Sequence, residues 1–183
     1  PKILQGGNIA KFDCVIANPP FSLENWGATE WSSDKYKRNI YGTPSDSCGD
    51  YAWIQHMICS MVSGQGRMAV VMPQGILFRN QETEIRKQLV ESDLIEAVVT
   101  LGDKLFYGTG LSPCFLIIRR MKPAHHSGRI LMIDGSKILT QKRAQNILEE
   151  NDIDRLYSLY QNYSDEEDYS RIVTLQEIRD KEY

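Results

Sequence analysis

Asp13-Cys14-Val15-Ile16-Ala17-Asn18-Pro19-Pro20-Phe21 passes from an apolar run directly into Asn-Pro-Pro-Phe. The apolar part, Phe12 to Ala17, is short and bounded by polar or proline-rich sequence, which predicts a central parallel strand covered on both faces. Asn-Pro is also an ordinary turn initiator, so the tetrapeptide alone reads equally well as a strand that stops. Its donor and acceptor inventory suggests more. The Asn18 side-chain oxygen and the Pro19 carbonyl can accept the two N–H hydrogens of an aromatic amino group, drawing its nitrogen toward tetrahedral geometry and freeing a lone pair for alkylation. Pro19 and Pro20 fix φ and add no competing N–H donor. Phe21 then offers a flat face for an unstacked base.

With 183 residues and an ordinary apolar fraction, the chain suits one domain that buries a core without staples. No apolar run approaches membrane-spanning length and no signal-peptide pattern opens the sequence, so a cytoplasmic protein with no membrane partner is expected. Cys14, Cys48, Cys59 and Cys114 are scattered without paired ligand spacing, which suggests neither disulfides nor zinc. His56 and the pair His125-His126 lack Cys or carboxylate partners at ligand spacing, so no metal is expected. A formal charge of −3 argues against a strong stand-alone nucleic-acid binder. If DNA is the substrate, another chain does most of the gripping.

Outward from the tetrapeptide, residues 22–49 turn to Ser, Asn, Asp, Gly and Lys, punctuated by Trp26, Trp31, Tyr36 and Tyr41. Such a long aperiodic stretch predicts a functional or disordered loop. Its aromatics, with Lys35, Lys37 and Arg38, suit either contact with nucleic acid or a small core of the loop's own. Helical period returns at Asp50 and runs to Ser63-Gly64. Strands are expected at Arg67 to Pro73, Leu94 to Leu101, Cys114 to Arg119 and Arg129 to Asp134, with helices over Glu82 to Glu91 and Gln145 to Tyr160. An acidic patch, Ser164 to Asp168, precedes a weak final strand or turn. Strands alternating with helices identify an α/β layered domain. Residues 141–183 are expected to form a C-terminal helical extension of the single domain 1–183.

The same order carries a resemblance. Asn18-Pro19-Pro20-Phe21, Asp50-Tyr51-Ala52-Trp53-Ile54-Gln55-His56-Met57, the run Gly66 to Gly75, Ile85-Arg86 and Leu105-Phe106-Tyr107-Gly108-Thr109-Gly110 together resemble the modification subunit of type I restriction-modification systems. The similarity continues to Tyr169-Ser170-Arg171-Ile172-Val173-Thr174-Leu175. Each piece is modest alone; five in order are specific.

The resemblance implies N6-adenine DNA methylation with S-adenosylmethionine, on a Rossmann-like methyltransferase fold in which the strand before Asn18 is the fourth. It implies Asn18, Pro19, Pro20 and Phe21 as the catalytic residues, Phe106 and Tyr107 as candidates for a second wall of the base pocket or else for core packing, and Asp50 and Trp53 as candidates for the cofactor's adenine pocket, with ordinary helix-capping and core roles the stronger reading for these two. It implies double-stranded DNA, a specificity subunit and a restriction subunit as partners. The family's first strands, glycine-rich cofactor turn and ribose-binding acid are expected upstream of the tetrapeptide. The chain is therefore expected to be the catalytic-motif part of the domain, inactive by itself and prone to homodimerise through its uncovered edge. Two alternatives remain at this point: a protein glutamine methyltransferase, which carries Asn-Pro-Pro-Tyr on the same fold, and a non-catalytic interaction module.

Overall fold

The computed structural model describes residues 4–106 and 110–183. A small hairpin of β1 (Leu4–Gln5) and β2 (Asn8–Ile9) opens the chain. There follow β3 (Cys14–Ala17), α1 (Ala28–Ser32), α2 (Asp50–Ser60), β4 (Arg67–Pro73), α3 (Thr83–Glu91), β5 (Ile95–Leu101), β6 (Pro113–Arg119), β7 (Arg129–Gly135), α4 (Glu150–Asn162), β8 (Ser170–Thr174) and α5 (Leu175–Asp180). Six strands make one mixed sheet in the order β3-β4-β6-β5-β7-β8. β3 runs parallel to β4 and β5 parallel to β7, whereas β6 is antiparallel to both its neighbours and β8 is antiparallel to β7.

The sheet's two faces bury different side chains of the same strands, by the alternation of a pleated strand and, on β5, by an irregularity between Ile95 and Ala97 that puts Ile95 on the side of Val98. On β5, Ile95 and Val98 join Tyr51, Ile54 and Ile58 of α2 and Leu89 of α3 in one core. Ala97, Val99 and Leu101 point the other way, to Leu156 and Leu159 of α4. A strand covered on both sides reads as a continuous apolar run, and this one does so except at Thr100 and at Glu96, whose Oε2 accepts from Tyr160 Oη of α4 at 2.7 Å. No helix among the described residues is long and apolar enough to cross a membrane.

Four expectations need correction. The strand ahead of the tetrapeptide is expected to be central and covered on both faces; among the described residues β3 ends the sheet, bonded to β4 alone, and Ile16 is 77% exposed. The β1–β2 hairpin pairs with itself, from Leu4↔Ile9 to Gln5↔Asn8, and among the described residues no strand pairs with the outer side of β3. Helix α2 stops at Ser60, short of Ser63-Gly64, because the next residues leave the helix for a parallel bridge to Phe12. Phe12 N donates to Ser60 O at 2.8 Å and Val62 N to Phe12 O at 3.0 Å. Helix α4 begins at Glu150 rather than Gln145, where Glu149 and Asp152 close a reciprocal capping box. Residues 141–183 are more than a helical extension, since β8 adds a strand to the sheet.

The 22–49 segment has a core of its own. Trp31 on α1 is buried and meets Trp26 at a ring separation of 5.7 Å, and the Arg38 guanidinium lies 4.5 Å over the Trp31 ring. Asp34 holds that guanidinium with two bonds, 2.9 Å to Nε and 2.7 Å to Nη2. Gln55 of α2 ties the segment's far end down, accepting from Tyr41 N at 2.8 Å and donating to Gly42 O at 3.0 Å. Lys35 and Lys37 remain exposed.

Candidate active site

Asn18 leaves the C-terminal end of β3 with its side chain exposed, Pro19 is buried, and Phe21 is half-buried. Asn18, Pro19 and Pro20 form one wall of a cavity of about 410 Å³ whose other walls include Ala10, Val15 and, from α2, Trp53 and His56. The structure thus brings Trp53 to the tetrapeptide across an apolar gap. Burial, helped by the charge of nearby Arg38, holds His56 below the ordinary imidazole pKa, so its ring is neutral near pH 7. Phe21 points elsewhere. Its ring meets that of Phe106, on the connection after β5, edge to face at 6.0 Å and 72°. Tyr107, the other candidate for that wall, lies outside the described residues.

Asp50 is not among the residues lining that cavity. It is the first residue of α2 and is 0% exposed. Its Oδ1 accepts from Ser22 N at 2.7 Å, and its Oδ2 accepts from Arg79 Nη2 at 2.6 Å and Cys48 Sγ at 3.2 Å. With both oxygens engaged inside the protein, it serves the loop that follows Phe21 and not the cavity. Sequence reasoning missed Arg79 and Glu82. Arg79 Nε binds Glu82 Oε2 at 2.7 Å, and Glu82 is wholly buried. Burial works against the Arg79 charge, but bonds from Glu82 and Asp50 more than offset it and raise the pKa. Burial pushes the Glu82 carboxyl upward despite Arg79, and the Cys48 thiol up to about 11. The i, i+3 spacing of Arg79 and Glu82 was the available signal.

Gly49 allows this approach. A Cβ there would stand 2.8 Å from Cγ of Trp26, closer than real side chains come. Gly49 N also donates to Leu23 O at 3.0 Å, and Asn25 N to Asp46 O at 2.9 Å, so residues 22–25 are laced to the segment entering α2. Among the described residues no group of three or more His, Cys, Asp or Glu side chains is placed to hold a metal ion.

Known proteins resemble this chain in sequence and in fold. The family model of N-6 DNA Methylase matches residues 4–183. The type I restriction enzyme MjaVII methylase subunit of Methanocaldococcus jannaschii is 35% identical over 193 residues, covering 100% of this chain and 32% of its own. The HindI methylase subunit of Haemophilus influenzae is 30% identical over 182 residues, covering 94% of this chain and 40% of its own. The crystal structure of a type I restriction-modification methyltransferase subunit from Streptococcus thermophilus superposes with a TM-score of 0.86 at 28% identity, over 95% of this chain and 36% of that one. The chain spans about a third of the length of these relatives. By the family model, by its relatives and by its fold, the chain belongs to the N-6 DNA methylase family.

Proposed function

We propose that the longer protein represented by this chain transfers a methyl group from S-adenosylmethionine to N6 of adenine in DNA, and that Asn18, Pro19, Pro20 and Phe21 are its catalytic residues. The observation that carries this reading is the pairing of two surfaces at one strand end: an acceptor wall of Asn18 to Pro20 shared with Trp53, and an aromatic pair of Phe21 and Phe106. The target adenine leaves the duplex and stacks on Phe21, taking the place of the present contact with Phe106. Asn18 Oδ1 and the Pro19 carbonyl accept its two amino hydrogens and aim the nitrogen lone pair along the path of attack. Pro20, with no N–H of its own, leaves those acceptors free of backbone competition. No covalent intermediate is needed, and the extra proton leaves nitrogen after transfer.

S-adenosylmethionine supplies the electrophilic methyl group. The cavity beside Asn18 fits its apolar and aromatic portions, with Trp53 as a flat wall, and among the described residues no carboxylate lines it to hold a ribose. Ribose contacts therefore come from outside this lining, and the 183 residues alone are inactive in this reading. DNA is gripped mainly by a specificity subunit, in keeping with the net charge of −3, and a restriction subunit completes the assembly.

Labelled methyl transfer to adenine-containing DNA by the full-length enzyme tests the reading. Asn18→Ala is expected to abolish transfer while leaving cofactor and DNA binding intact, a loss of roughly 3 kcal/mol or more in the transition state. Wild-type turnover in that variant, or transfer to a glutamine amide instead of DNA, would remove the proposal.

A further inference from the structure

Ser22 directly follows Phe21 and stands at φ 49°, in the left-handed region. A residue with a Cβ is seldom found there unless its surroundings hold it. Here the holder is Asp50, 28 positions along the chain, whose Oδ1 takes the Ser22 N–H at 2.7 Å. Asp50 is braced from behind: Arg79 bridges it to Glu82, and both carboxylates are 0% exposed. Arg86, 8% exposed, packs beside this group. Its Nη1 donates to the Arg79 carbonyl at 3.0 Å, its Nε to Tyr183 O and its Nη2 to Thr83 Oγ1. Arg79, its side chain 21% exposed, is thus the cation that both buried carboxylates share, and removing it leaves each without a cationic partner among the described residues.

We propose that Asp50, Arg79 and Glu82 are a positioning strut for the catalytic tetrapeptide. Asp50 fixes the Ser22 amide, the Ser22 conformation fixes how the chain leaves Phe21, and Arg79 fixes where Asp50 stands. This rests on the reading of residues 18–21 as the methyl-transfer site. None of the three side chains touches substrate; each acts through the backbone of Ser22. A helix-starting aspartate usually closes the first turn of its own helix. This one reaches instead across to the residue next to the stacking ring, and that geometry separates a positioning role from simple capping.

The test uses the full-length methyltransferase with its specificity subunit and compares wild type, Asn18→Ala, Asp50→Asn, Arg79→Met, Arg79→Lys and the double variant Asp50→Asn/Arg79→Met. Turnover, KM for S-adenosylmethionine and the fluorescence of 2-aminopurine at the target position are read together. Asp50→Asn is expected to lower kcat roughly tenfold or more while KM for the cofactor stays within about twofold, because the acceptor that orders the loop weakens and cofactor contacts do not change. The 2-aminopurine signal falls with kcat. Arg79→Lys recovers part of what Arg79→Met loses, and the double variant is no worse than the poorer single, as expected of groups acting as one unit. Folded Asp50→Asn enzyme turning over like wild type, or losses that multiply in the double variant, would overturn the strut.

Should Arg79→Met not fold, hydrogen–deuterium exchange of peptide 19–25 in wild type and Arg79→Lys decides. Faster exchange in Arg79→Lys supports the strut, and identical exchange overturns it. Failure of the underlying reading shows separately, as wild type that does not methylate adenine or as a fully active Asn18→Ala.

Discussion

Phe21 is half-buried, and its ring contact with Phe106 at 6.0 Å is edge to face, one of the geometries that aromatic quadrupoles favour. A base replacing that contact needs a flat π face more than a particular ring. Phe21→Ala is therefore expected to weaken base capture by about 1–3 kcal/mol, whereas Phe21→Tyr and Phe21→Trp retain it. Fluorescence of 2-aminopurine at the target position measures this directly, and an unchanged signal in the alanine variant would remove Phe21 as the platform. At this scale much of the site was legible. Acceptor oxygens on Asn18 and Pro19 and a ring at Phe21 are properties of residue types and of adjacency, which a one-dimensional string preserves. Asp50 was not legible in the same way. An aspartate that opens a helix looks the same on paper whether it faces a cofactor or the Ser22 amide, and its Arg79 partner lies 29 positions away.

Among the elements, α5 is held to the end of α3 by one carboxylate. Glu91 Oε1 and Oε2 accept from Arg179 Nε at 2.7 Å and Nη2 at 2.6 Å, and Glu91 also accepts from the Tyr183 hydroxyl. Bonds from Arg179 first and Tyr183 second lower the Glu91 pKa from 4.5 to about 2. A carboxyl depressed in the folded state contributes stability above its unfolded pKa and loses it as pH falls. The tether is therefore at full strength above pH 4.5 and is lost as the pH falls toward about 2. Amide exchange in 175–183, corrected for intrinsic rate, should quicken over that window in wild type and be already fast in Glu91→Gln at neutral pH. A flat profile in wild type would contradict the tether. Elements were legible where their pattern is local: β4 occupies Arg67–Pro73 as expected, and α3 starts within one residue of expectation. The end of α2 was not, because Met61 and Val62 continue its apolar period yet are claimed by Phe12, a partner distant in sequence.

For the whole molecule, the most consequential feature is the free side of β3. Among the described residues its four positions pair only with β4, no strand lies beside its outer N–H and C=O groups, and Ile16 stands 77% exposed there. Such an edge templates pairing with another chain. The 183-residue chain by itself is expected to self-associate through this edge or the apolar surface around it, and sedimentation equilibrium from micromolar to hundred-micromolar protein would show it. A monomer at every concentration would mean that the β1–β2 hairpin shields the edge sufficiently. The sequence by itself determined the α/β class, the order of the main strands and helices, and which donor and acceptor groups stand at residues 18–21, because apolar period, proline placement and donor inventory are carried by neighbours along the chain. Only the tertiary structure decided that β6 inserts between β4 and β5, that β8 joins β7, and that Asp50 accepts from the Ser22 amide. Those outcomes depend on which distant backbone groups and buried charges find each other, and spacing along the chain does not encode that choice.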